Sequence, residues 1–114
     1  MVTIYHNPRC RKSREALQIL TASNLDLNIR EYLKEPPSEA ELSELLEKLD
    51  MQPLELIRKG EKVFKERFKG KDLSSPQWIR IMTEYPILIE RPIVIRGQKG
   101  VVARPPEKLK ALLK

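Results

Sequence analysis

One cysteine and one histidine are all this chain of 114 residues contains of either type. A lone cysteine cannot form an internal disulfide, and the two residues together cannot assemble a zinc site. Aromatic residues make up 5%, too few for a platform on which nucleic-acid bases could stack. No apolar run approaches the length needed to span a bilayer. The opening Met1-Val2-Thr3-Ile4-Tyr5 lacks the basic start and long apolar stretch of a secretory signal. A cytoplasmic protein is the expectation, with no membrane, nucleic acid or metal among its partners.

What the chain does have is charge and a modest apolar content. Twenty-two basic and 16 acidic side chains leave a net charge of +6. The basic residues are scattered and interleaved with Glu, with no long Lys/Arg run, so a small anionic substrate suits the excess at least as well as a polyanion. At 40% hydrophobic residues, a chain of this length can bury a core as one domain over 1–114.

The order of elements follows from periodicity. Val2 to Tyr5 is a short apolar strand that ends in a turn at His6-Asn7-Pro8. A helix is predicted from Arg11 to Ala22, with Ala16, Leu17 and Leu20 on one face. Leu25-Asp26-Leu27-Asn28-Ile29 alternates with period two and reads as a second strand. A βαβ opening of this kind implies parallel pairing. After Pro36-Pro37, Ser38 and Glu41 form a capping box, and Leu42, Leu45, Leu46 and Leu49 follow at helical spacing. Pro53 opens a short helix that carries Leu54 and Ile57 and stops near Gly60. Val63, Phe64 and Phe68 mark another helical piece, ended by Gly70. Ser75-Pro76 starts one more, with Trp78, Met82 and Tyr85 on one stripe. Ile93–Ile95 and Val101–Ala103 flank the five residues 96–100 as an antiparallel hairpin. Pro105-Pro106 precedes a last helix with Leu109, Leu112 and Leu113.

The expected fold is α/β, a thioredoxin-like mixed sheet of about four strands with a helical insertion between strands two and three. The core would comprise 1–34 and 86–114, and the insertion 35–85.

Cys10 falls just after strand one and just before the first helix. There the unpaired N–H groups of a helix N-terminus carry a partial positive charge of roughly half an electron. Arg9, Arg11, Lys12 and Arg14 add positive charge nearby. Either Cys10 is an inert core residue or its sulfur reacts, and this setting favours a reactive thiolate. A phosphatase loop would need arginine where Ala16 stands. A dithiol oxidoreductase would need cysteine where Ser13 stands. The loop is therefore a monothiol site whose adducts an external thiol must resolve. Ser13 either donates a hydrogen bond to the thiolate or caps the helix. His6 either raises the thiolate fraction or closes the strand-to-loop turn.

An ordered set of motifs carries a resemblance. These are Ile4-Tyr5-His6-Asn7-Pro8-Arg9-Cys10, Ser13-Arg14, Tyr32-Leu33-Lys34-Glu35-Pro36-Pro37, Leu56-Ile57-Arg58-Lys59, residues 85–94 and Ala103-Arg104-Pro105. Over nearly its whole length the chain resembles the glutaredoxin-coupled arsenate reductases. The resemblance implies that Cys10 is the nucleophile, and that Arg58, Arg91 and Arg104 bind the substrate oxyanion, arsenate or a similar one, and stabilise the thiolate. Arginine suits that role because its planar fork of donors matches tetrahedral oxyanions. It also implies a cis proline at Pro92, glutathione as co-substrate with no bound cofactor, glutaredoxin as partner, and a monomer.

One departure stands out. Arg11-Lys12 follows the cysteine where well-characterised members of the family carry small residues. Two other readings of this site are a thiol-dependent reductase or transferase with another substrate, and a non-enzymatic RNA polymerase-binding regulator. The second belongs to a related branch that senses oxidation through a cysteine pair, which Ser13 removes.

Overall fold

In the computed structural model, residues 1–113 are described. They form two compact units, one made of Met1–Glu35 together with the residues from Arg91 onward, the other of Pro36–Glu90.

The first unit is built on a four-stranded mixed sheet. Its strands are β1 (Val2–His6), β2 (Leu27–Glu31), β3 (Ile93–Arg96) and β4 (Lys99–Val102), in the order β2-β1-β3-β4. β1 and β2 are parallel, as the βαβ opening requires, and β3 is antiparallel to both β1 and β4. Helix α1 (Arg11–Ala22) makes the crossover and matches the predicted bounds. Val2, Ile4, Ala16, Leu20, Val94, Ala103, Leu109 and Leu112 form one buried cluster between the sheet and helices α1 and α5 (Leu109–Leu113). Full burial of an aliphatic side chain contributes about 1.5–3 kcal/mol, so β1 is anchored chiefly through Val2 and Ile4.

Two boundaries differ from the periodicity reading. β2 starts at Leu27, because the ladder begins with Val2 opposite Leu27 and runs on to His6 opposite Glu31. Leu25 packs against the core cluster from outside the ladder. The hairpin turn is two residues long, not five. Arg96 pairs with Lys99, and Gly97 has φ +63°, a backbone conformation that favours glycine in tight hairpins.

The second unit is helical. Helix α2 (Glu39–Leu49) begins at Ser38, whose hydroxyl accepts the Glu41 N–H at 3.1 Å. Pro53–Leu56 is a short 3-10 helix, less than the helix predicted there, and Ile57 leaves it to bridge Ile89 in antiparallel fashion. Helices α3 (Lys62–Arg67) and α4 (Ser75–Glu84) follow. Phe64 stacks on Trp78 at 6.1 Å between centroids, and Phe68 meets Tyr85 edge-on at 5.6 Å. The aromatic stripe is thus packing, as its spacing suggested. No helix among the described residues is long and apolar enough to cross a membrane.

Candidate active site

Cys10 is the N-cap residue of α1, with extended backbone (φ −95°, ψ 121°), and it is half-buried. Pro8 and the extended cap residue stop the helix from starting earlier, so the first free amides of α1 face the cysteine. Burial pushes the thiol up. The backbone N–H of Ser13, the Arg91 guanidinium and the backbone N–H of Lys12 outweigh it and hold the thiol below its ordinary value. The sulfur makes no regular cap hydrogen bond, so the effect is that of several donors converging on one anion.

The Ser13 side chain does something else. Its hydroxyl accepts the Asn7 N–H at 3.0 Å and lies 2.6 Å from His6 Nδ1, and all three residues are buried. Neither role expected for this hydroxyl holds. It neither donates to the thiolate nor caps the helix, but ties the loop back to the end of β1. Burial holds His6 below its ordinary value; Glu31 opposes this and Arg14 assists it. A neutral imidazole brings no charge to the sulfur. The 2.6 Å contact joins His6 Nδ1 and the Ser13 hydroxyl, with the direction of the proton set by the imidazole tautomer.

Arg91 enters the site from the segment before β3. Its peptide bond to Pro92 is cis, as expected, and so is Arg104–Pro105. Burial pulls the Arg91 guanidinium down, but Cys10 and Tyr32 beside it more than reverse this and hold its charge firmly. Arg104 is exposed, and its Nη1 donates to the Arg91 carbonyl at 3.5 Å. Arg58 lies in the second unit. There Arg58 N donates to Leu88 O at 2.7 Å and Glu90 N to Leu56 O at 2.8 Å. The Ile57–Ile89 bridge sets Arg58 alongside Glu90, and its guanidinium meets Glu61 at 3.2 Å and Glu90 at 3.3 Å.

The two long cations after the cysteine turn along the helix. Arg11 and Lys12 both pair with Glu15, at 3.3 and 3.8 Å. Only the backbone of Lys12 serves the sulfur.

Tyr32 also borders the site, although no motif chemistry in the sequence marks it out. It follows β2 directly, is buried to 1% exposure, and adjoins Arg91 and the Asn7 side chain. A signal was available in the parallel register. His6 pairs with Glu31, so the next residues, Asn7 and Tyr32, emerge side by side. No cluster of His, Cys, Asp and Glu able to hold a metal occurs among the described residues.

The ArsC family sequence model matches residues 5–112. The chain is 41% identical over 110 residues to the Escherichia coli (strain K12) uncharacterized protein YfgD, covering 95% of this chain and 92% of that one. It is 37% identical to the arsenate reductase of Haemophilus influenzae, over 98% of each chain. Among solved structures, the arsenate reductase from Vibrio cholerae superposes with a TM-score of 0.92 at 38% identity, covering 96% of this chain and 95% of that one. The mixed sheet and its helical segment thus have the thioredoxin-like layout of these relatives.

Proposed function

The chain belongs to the ArsC family, and from that premise we propose that it reduces arsenate to arsenite at Cys10, with glutathione as co-substrate and a glutaredoxin as partner. The observation that carries this reading is the convergence of two helix-terminal amides and the Arg91 guanidinium on one sulfur. Donors that stabilise a thiolate at the start of a helix also suit an oxyanion docked beside it.

In the first step the Cys10 thiolate attacks arsenic. A sulfur–arsenic bond forms, and one oxygen of arsenate takes up a proton and departs as water. Glutathione then adds to this adduct, and glutaredoxin carries the glutathione away as a mixed disulfide. The electron pair given up by the two external thiols reduces arsenic, arsenite is released, and Cys10 is free again. In sum, arsenate and two thiols become arsenite, a disulfide and water. Arg58 and Arg104 complete the oxyanion-binding set on the strength of the family resemblance. The cycle needs a thiol pool that is kept reduced, which fits a cytoplasmic setting.

NADPH oxidation coupled through glutathione reductase tests the proposal, with arsenate, glutathione and glutaredoxin present. Wild type should turn over many times and Cys10→Ser not at all. Absence of turnover by the wild type would shift the assignment to another oxyanion or another thiol chemistry.

A further inference from the structure

Buried hydroxyls almost always have hydrogen-bond partners, and an orphan costs about 1–3 kcal/mol. The Tyr32 hydroxyl is such an orphan. It is fully buried and has no partner in hydrogen-bonding geometry among the described residues. Its neighbours explain why. Arg91 and the Asn7 side chain are among them. A guanidinium offers only donors, and Asn7 Oδ1 already accepts the Arg9 N–H at 3.0 Å. The Tyr32 oxygen therefore has donors around it, and no acceptor stands in hydrogen-bonding geometry to its proton. Burial also keeps that proton in place by pushing the phenol above its ordinary value, against the opposing charge of Arg91.

The missing acceptor is what a bound oxyanion would bring. We propose that Tyr32 is a further substrate-binding residue, whose hydroxyl donates a hydrogen bond to an oxygen of the oxyanion held by Arg91 beside Cys10. The inference rests on the oxyanion reading of the site. Tyr32 adjoins Arg91, so an anion seated on the Arg91 fork would come up beside this side chain. A neutral donor adds a contact without adding charge, so the Cys10 thiolate is left alone before substrate arrives. The free protein bears the cost of the orphan, and the complex recovers it.

The test is Tyr32→Phe, read by two measurements that need no turnover. Inorganic phosphate and arsenate, without any thiol, are titrated as protectants of Cys10 against iodoacetamide, and stability is measured by urea unfolding. Loss of one hydrogen bond to a charged group should weaken protection about tenfold. The alkylation rate without anion should stay at the wild-type value. Stability should equal or exceed that of wild type, since the variant removes an unsatisfied hydroxyl. Equal protection of variant and wild type would overturn the proposal and leave the oxyanion site standing. A clear loss of stability, or failure to fold, would also overturn it, by showing that the hydroxyl has a partner within the fold. If neither anion protects wild type, the oxyanion reading itself fails and this inference falls with it.

Discussion

His6 Nδ1 stands 2.6 Å from the Ser13 hydroxyl, so this side chain is committed to the loop and only its backbone N–H serves Cys10. Ser13→Ala should separate the two roles. It strips the buried Asn7 N–H of its acceptor, which should cost about 1–3 kcal/mol of stability. The pH midpoint of Cys10 alkylation should stay close to the wild-type value. Urea unfolding and iodoacetamide rates against pH check the pair, and a midpoint rising toward that of a free thiol would assign the hydroxyl to the sulfur after all.

Arg91→Ala should act on the sulfur directly. The alkylation midpoint of the wild type should lie below about 8.5, the value of a free thiol, and this variant should move it upward. An unchanged midpoint would remove Arg91 from the thiolate's environment.

Activity should fall about tenfold or more with alanine at Arg91, Arg58 or Arg104, the scale of one lost charge-assisted hydrogen bond. Arg80→Ala should change little, because the Arg80 side chain forms an exposed pair with Glu39 at 3.9 Å. Arg58→Ala also leaves Glu61 and Glu90 without their shared cation, so its unfolding curve should be recorded beside its rate. Full activity in all three variants would sink the oxyanion set.

Stability should depend on pH through two groups, in the same direction. Burial opposes the Cys10 thiolate, but the donors around it leave the folded thiol below its ordinary value. Its stabilisation is therefore complete above the unfolded thiol's value and is lost as pH falls through the folded one. Burial likewise lowers His6, whose contribution is complete above about 6.5 and lost on further acidification. The advantage of wild type over Cys10→Ser in urea unfolding should shrink as pH falls from about 8.5. A constant difference across that range would show that the thiolate is not held by the fold.

Multiple turnover should require an external thiol, since the chain has no second cysteine. Arsenite release is compared with glutathione plus glutaredoxin, with thioredoxin and its reductase, and with neither. The first should sustain turnover and the second should serve poorly. Equal rates with thioredoxin alone would end the monothiol mechanism.

Much of this was legible in the residues, where local chemistry decides the structure. The bounds of α1 followed from its apolar spacing, and the start of α2 from Ser38. What escaped was set by pairing. β2 is an edge strand whose last members are Arg30 and Glu31, and their polarity hid the strand from an alternation test. Arg30 is at home there because its guanidinium lies 5.8 Å over the Tyr5 ring, packing that only the ladder creates. In the hairpin, Arg96 and Lys99 looked like loop residues for the same reason. Cys10 could be singled out by its place before a helix. Tyr32 escaped along with the end of β2, because a strand ended at Ile29 leaves it a loop residue. A strand taken two residues further along would have brought it level with Asn7.

The donors converging on Cys10 also bear on what happens when its sulfur is joined to another sulfur. Whatever lowers the proton affinity of a thiolate makes it a better leaving group, and a mixed disulfide through such a sulfur is attacked and opened more readily. The amides of Lys12 and Ser13 and the Arg91 guanidinium favour the state in which Cys10 is expelled as an anion over the state in which it stays capped. Accidental glutathionylation of this cysteine is accordingly a short-lived condition wherever reduced thiols are plentiful, and the site returns to its reactive form without a second cysteine to rescue it.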